Sequence, residues 1–243
     1  MSIVLILGSA PNVVAARAWP GHLFDRIVAI NNAWAVRDDW TDLIYPEDFP
    51  PDRRPLPSGS RQRFVTATDF VPAQNASGGF VYGGGTMAFT AGYWVLMALR
   101  PSVIAYLGCD MIYPEAGLTH FYGTGAPDPL RPDITLRSLP AKSARLLVHA
   151  ALQGCAIVNL SQDDSQLVFP RASVGTLSSV RPVTPDPEGL AAARLLENQA
   201  AYMVPSGRYW EPGNSFDPLV IDRIDAAWLK SLPKSIRPTQ TSP

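Results

Sequence analysis

The sequence predicts an α/β chain with a Rossmann-like, doubly wound, mostly parallel sheet and a helical C-terminal extension. Three features carry this expectation. Short apolar runs rich in β-branched residues stop abruptly at Gly, Asn, Asp or Pro, as strands buried on both faces do. Segments of helical length separate the later runs. The joints between them are short, so strand, helix and strand in alternation imply parallel pairing with right-handed crossovers.

Ile3 to Leu7 is the first such run and ends in Gly8-Ser9-Ala10-Pro11. Asn12 to Trp19 suits a short helix. Arg26 to Ile30 is a second strand, stopping at Asn31-Asn32, and Asp42 to Tyr45 a third, ending in Pro46-Glu47-Asp48. The Pro- and Arg-rich stretch 50–60 reads as an exposed loop, and Arg63 to Ala67 as another strand. Gly78-Gly79 and Gly83-Gly84-Gly85 bracket Phe80-Val81-Tyr82. An apolar helix follows to Leu99, with Thr86 as its N-cap and Arg100-Pro101 as its stop. Ser102 to Leu107 is a buried strand closed by Gly108-Cys109-Asp110. A Gly/Pro-rich loop spans about 113–139, an amphipathic helix covers Pro140 to Gln153, and Ala156 to Leu160 is a further strand. A linker near Pro182 to Pro187 divides a nucleotide-binding part, 1–180, from an extension, 181–243, with amphipathic helices over Glu188 to Met203 and Pro218 to Leu232. Those helices suit a cap, a small lid or a homo-oligomer interface.

Composition narrows the function classes. The chain has 243 residues, 47% hydrophobic and 17% charged, which permits a large core and excludes global disorder. A formal net charge of -1 argues against broad capture of nucleic acid or of an anionic membrane. The apolar start has no preceding Lys or Arg and is broken by Gly8 and Pro11, so it reads as neither a secretion signal nor a spanning segment. Cys109 and Cys155 sit in apolar surroundings, as buried thiols of a cytoplasmic protein do.

In an open α/β sheet, ligands bind beyond the carboxyl ends of the strands. Gly8 to Asn12, Asn31-Asn32, Glu47-Asp48, Gly83 to Thr86, Asp110 to Tyr113 and Ser161 to Asp164 fall there. Gly8 would let the backbone approach a ligand, with helix amides near Asn12 offered to a phosphate; a plain turn is the alternative. The amides of Asn31 and Asn32 suit a base or a ribose, and equally a turn. Gly85 and Thr86, with the glycines before them, would present free N–H groups at a helix start. His120 is the candidate for proton transfer, with Tyr113 and Tyr122 as donors to leaving-group oxygens. His22 and His149 read as structural. The sequence carries no GxxxxGK[ST], HExxH, CxxC or GxSxG, which argues against a P-loop phosphotransferase, a metal centre and a serine hydrolase.

The order of Gly8-Ser9-Ala10-Pro11, Asn31, a Gly-Thr loop opening a long helix, Tyr106-Leu107-Gly108-Cys109-Asp110 and His120-Phe121-Tyr122-Gly123 resembles the bacterial sialyltransferase-like glycosyltransferases and the related 6-hydroxymethylpterin diphosphokinase-like family, over about Met1 to Arg171. The resemblance implies a Rossmann-like domain that takes a CMP-sugar donor as substrate and requires no cofactor or metal. The donor would be gripped at Gly8, Ser9, Pro11, Asn31, Gly85 and Thr86. Two tyrosines of that family assist the departing phosphate, and Tyr113 lies one residue out of register with such a position. The family's histidine base stands four residues beyond the match to His120, where this chain has Thr124, and threonine is no base at neutral pH. The departure bears on sialyl transfer more than on nucleotide binding. Two alternatives stand beside a glycosyltransferase with an unidentified hydroxyl acceptor. One is a Mg²⁺-dependent diphosphokinase using Asp110 or Glu47; the other is a non-catalytic nucleotide-binding or assembly protein.

Overall fold

A computed structural model describes residues 1–56, 60–114, 117–124 and 131–238, so parts of the loops expected over 50–60 and 113–139 lie outside the described residues. Six parallel strands, β1 (Ile3–Leu7), β2 (Arg26–Ile30), β3 (Asp42–Ile44), β4 (Arg63–Val65), β5 (Val103–Leu107) and β6 (Ala156–Asn159), form one sheet in the order β4-β3-β2-β1-β5-β6. The chain therefore builds outward from β1 to β4 and returns to add β5 on the other side of β1. The strand order reverses there, and the carboxyl ends of β1 and β5 border the resulting crevice.

Strands β1, β2, β5 and β6 bury both faces, which is why their runs are almost continuously apolar rather than alternating, whereas the edge strand β4 opens on the exposed Arg63. Val4, Ile6, Val28, Ile30, Ile104, Tyr106 and Ile157 face one core. Leu5, Leu7, Ile27, Ala29, Ala105, Leu107 and Val158 face the other. The first face is covered by α1 (Ala67–Ala76), α2 (Phe80–Gly83), α3 (Met87–Trp94) and α4 (Leu139–Leu152). The second is covered by 3-10 helices at Pro11–Ala18 and Asn31–Val36. Pro11 and the β-branched pair Val13-Val14 favour a narrow, extended helix in the first of these, which gains about 2.0 Å per residue rather than 1.5.

Among the secondary-structure elements, the structure departs most from the sequence reading after β4. The strand expected to Ala67 ends at Val65, and Ala67 opens α1. Thr66 caps that helix, its own N–H donating to Asp69 Oδ2 at 2.9 Å. Pro72 lies past the first turn, where it argues against helix on propensity, and tertiary packing of Phe70 and Ala73 overrides it. Gly78 and Gly79, at φ 97° and 90°, then turn the chain into α2. α3 continues as one π-helical stretch, Val95–Leu99, before Arg100 ends it at φ 48°.

Helices α5 (Pro187–Ala200) and α6 (Pro218–Lys230) pack behind α4 and share the main core through Ala193, Ile221, Ile224 and Trp228. Two ionic contacts bind them there. Lys142 Nζ meets Asp225 Oδ1 at 2.7 Å, and Arg145 Nε meets Glu197 Oε1 at 2.7 Å. The extension covers the helical layer rather than the sheet itself. Among the described residues no helix is long and apolar enough to cross a membrane. Both cysteines are free and buried.

Candidate functional site

Beyond the carboxyl ends of β1, β2 and β5 lies a cleft of about 270 Å³. The turn after β1 supplies Gly8, Ser9 and Ala10; the end of β2 supplies Ile30, Asn31 and Asn32. Thr86, Met87 and Ala88 of the α3 start form a further wall, and Tyr113, His120 and Tyr122 close it. Eight residues selected from sequence thus surround one space: Gly8, Ser9, Asn31, Asn32, Thr86, Tyr113, His120 and Tyr122. A backbone bond from the Phe121 N–H to the Ser9 carbonyl, 3.0 Å, ties the histidine-bearing loop to the first turn.

His120 stacks on Tyr122 with ring centroids 5.0 Å apart and lies 6.2 Å from the ring of Tyr113. Its backbone is held by reciprocal bonds with Gly123, 3.0 and 3.1 Å. Nδ1 lies 2.9 Å from Thr119 Oγ1, which orients the ring. When Nδ1 carries the proton in that bond, Nε2 is left as a lone-pair base. Desolvation pushes the imidazole below its ordinary value, so it is neutral at pH 7 and able to accept a proton. Asn31 adopts a left-handed backbone at φ 51°, and its buried Oδ1 has no donor among the described residues. Met111, also on the cleft, stands at φ 55°. Non-glycine residues held there cost about 1–3 kcal/mol each and concentrate at functional sites.

Gly8 borders the cleft and serves a second, structural purpose. A Cβ there would lie 2.2 Å from the Gly108 carbonyl oxygen and 2.5 Å from Cys109 Sγ. The bare backbone therefore lets the turns after β1 and β5 touch where they border the cleft. The expected free amides at Gly83 to Gly85 are absent too. They donate to the carbonyls of Gly79 and Phe80 and to Thr135 Oγ1, at 3.0, 2.9 and 3.0 Å. Gly85 itself does not line the cleft, being backed by Thr135 and Tyr209. Pro11 is likewise outside it, and no amide array forms near Asn12, because Pro11 has no N–H and that of Val13 donates to Ala10.

Asp110 is a further correction. It is 4% exposed and turned behind the cleft, where its carboxylate accepts from Asn12 Nδ2 at 2.8 Å and Asn159 Nδ2 at 2.9 Å. Asn12 Nδ2 also donates to Ser161 Oγ and Asp163 Oδ2, each at 2.9 Å. This network locks the carboxyl ends of β1, β5 and β6 together. Glu47 faces Arg208 at 3.4 Å and, like Asp48 and Ser161 to Asp164, does not line the cleft. Thr124 also lies off it, its hydroxyl donating to the Gly117 carbonyl at 3.1 Å.

Sequence reasoning missed Phe49, Arg53 and Cys109, which all line the cleft, whereas Met111 falls in the expected stretch Asp110 to Tyr113. Arg53 was legible in principle as a cation in the loop beyond a strand's carboxyl end. Cys109 is a packing residue, its thiol pushed up by burial and by the Asp110 charge, which leaves little thiolate at neutral pH. A larger hollow of about 550 Å³ opens at the amino ends of β2 to β4, among His22, Asp25, Asp38, Asp39 and Trp40. Two of its carboxylates are already engaged, Asp25 by the Ile3 N–H and Asp39 by Arg37. Among the described residues no group of three or more His, Cys, Asp or Glu could hold a metal ion.

No protein-family model, curated protein or solved structure matches the chain.

Proposed function

We propose that this protein is a glycosyltransferase-like enzyme that takes a nucleotide-activated sugar, CMP-linked by the family resemblance, and passes the sugar to a hydroxyl acceptor. The observation that carries the reading is the position of His120. A neutral, oriented imidazole between two tyrosines faces the same space as the first turn and the Asn31-Asn32 pair, at the switch point of a parallel sheet. The buried Asn31 Oδ1 calls for a donor, which a nucleotide supplies as an exocyclic amine or a ribose hydroxyl.

In this mechanism His120 Nε2 accepts the proton of the acceptor hydroxyl as that oxygen bonds to the anomeric carbon. The bond between that carbon and the donor phosphate oxygen breaks, and its electron pair leaves with the phosphate. Tyr113 and Tyr122 line the same cleft and, in this reading, donate their hydroxyls to that leaving oxygen. Thr124, at the family's base position, takes no part. The diphosphokinase reading draws less support, because both carboxylates it would use, Asp110 and Glu47, are off the cleft.

The test is a thermal-shift panel of CMP, UDP, GDP, ADP and ATP, with and without Mg²⁺, followed by donor turnover in wild type and His120→Ala. A true ligand at a hundred times Kd adds about 2.7 kcal/mol, a rise of roughly 5–11 °C for a chain of this size. Loss of the base lowers turnover about 10²- to 10⁴-fold with nucleotide binding retained. Equal turnover in the variant removes His120 from the chemistry, and silence across the panel removes the nucleotide.

A further inference from the structure

We propose that Arg53 is the phosphate-binding residue of the cleft and holds a single ligand phosphate together with the N–H and hydroxyl of Ser9. The proposal deepens the nucleotide reading of this site and rests on it for the rest of the ligand.

Among the described residues that line the cleft there is no Asp or Glu, and Arg53 carries the permanent positive charge. A chain of net charge -1 thus presents a cavity whose own ionisable groups favour an anion. The Arg53 guanidinium meets no carboxylate among the described residues. Its neighbour Arg54 is engaged, donating through Nε to the Phe49 carbonyl at 3.1 Å and lying 4.7 Å over the Tyr45 ring. Arg54 is consumed in shaping the loop, and Arg53 is left facing the ligand space.

The root of Arg53 is fixed. Its N–H donates to the Pro50 carbonyl at 3.1 Å and its carbonyl accepts from Trp34 Nε1 at 2.9 Å. The exposed side chain therefore extends from an anchored backbone. On the β1 turn, the amides flanking Ser9 are both engaged, Gly8 to the Leu107 carbonyl at 2.8 Å and Ala10 to the Gly108 carbonyl at 2.9 Å. The Ser9 N–H and hydroxyl meet no acceptor among the described residues, and Ser9 lines the cleft. A planar guanidinium and a backbone N–H with an adjacent hydroxyl form a donor set suited to a tetrahedral oxyanion. One fixed cation in the cleft suits one phosphate better than two.

The experiment measures Kd by calorimetry for cytidine, CMP, CDP and inorganic phosphate, without divalent metal, on wild type, Arg53→Gln and Arg53→Lys. Wild type is expected to bind CMP about 10- to 100-fold more tightly than cytidine, the worth of charge-assisted hydrogen bonds. CDP is expected to gain no further tenfold. In Arg53→Gln the preference for CMP over cytidine falls below about threefold, cytidine affinity and melting temperature hold, and Arg53→Lys keeps part of the preference. If cytidine does not bind, the phosphate arm reads Arg53 alone, so that binding in wild type and its loss in Arg53→Gln sustains this assignment while the nucleoside part of the reading fails. An undiminished CMP preference in Arg53→Gln, or no phosphate-dependent binding by wild type, overturns it.

Discussion

Removing the Glu197 carboxylate tests whether the C-terminal helices belong to the same cooperative unit as the sheet. Arg145 on α4 has a side chain only 2% exposed. Its Nε and Nη2 donate to the two Glu197 oxygens at 2.7 and 3.0 Å, and Nη1 donates to Tyr93 Oη at 2.7 Å. Nη2 also donates to the Ser77 carbonyl. Burial works against this charge, but Glu197 and Tyr93 outweigh it and hold the guanidinium above its ordinary value. Trp228 of α6 donates to the same carboxylate at 2.6 Å, so one side chain of α5 joins α4 to α6. In Glu197→Ala the guanidinium stays buried without its counter-charge, a loss of about 3–5 kcal/mol. At roughly 2–4 °C per kcal/mol, the melting temperature falls by about 6–20 °C. Glu197→Gln keeps one oxygen to accept from Trp228 and Arg145 Nε but sets an amide NH2 against Arg145 Nη2, so it should fall between wild type and Glu197→Ala. Thermal and urea melts followed by near- and far-ultraviolet circular dichroism read both variants. The reasoning fails if Glu197→Ala melts within about 2 °C of wild type, or if the two signals separate into independent transitions. By the same logic a chain cut after residue 180 exposes Lys142 and Arg145 without partners and does not fold cooperatively.

Gly8→Ala drives a methyl into the Gly108 carbonyl and Cys109 Sγ, at 2.2 and 2.5 Å, and the backbone wall cannot yield. A loss of about 1–3 kcal/mol is expected, with weakened nucleotide binding as the turn bearing Ser9 is displaced, and an unchanged melt with unchanged binding would refute it. His149 is held well below its ordinary value of 6.5 by burial and by the Arg145 and Arg194 charges. It stays neutral in the folded state while the unfolded state protonates, so this contribution is present above about pH 6.5 and is lost as pH falls below it. The urea midpoint should drop between pH 7 and pH 5, and His149→Phe, placed against Tyr93 and Trp228, should flatten that drop. Asp110→Asn sets amide against amide at Asn12 or Asn159 and should lower stability by about 1–3 kcal/mol. A large loss of ligand affinity with no loss of stability would instead return Asp110 to the cleft.

Much of the scaffold is written locally. β1 and β2 run over the very residues read from their apolar patterns, and β5 and β6 within one residue at each end, because a strand buried on both faces needs a continuous apolar run that no neighbour can disguise. α1 was not legible in that way, since Pro72 spoils its propensity and only packing against the sheet restores the balance. The candidate site divides along the same line. Residue type and position beyond a strand's end brought out Ser9, Asn31, Asn32, Thr86, Tyr113, His120 and Tyr122, and the fold draws them around one cleft. Where Asp110 points, what Gly8 makes room for and which of Arg53 and Arg54 stays unengaged were settled by partners elsewhere in the chain. Asp110 answers to Asn12 and Asn159, 98 and 49 residues away, and Gly8 to Gly108. A sequence window records the chemistry a side chain carries. The direction of that side chain depends on hydrogen-bond partners and steric walls that exist only once distant strands lie side by side.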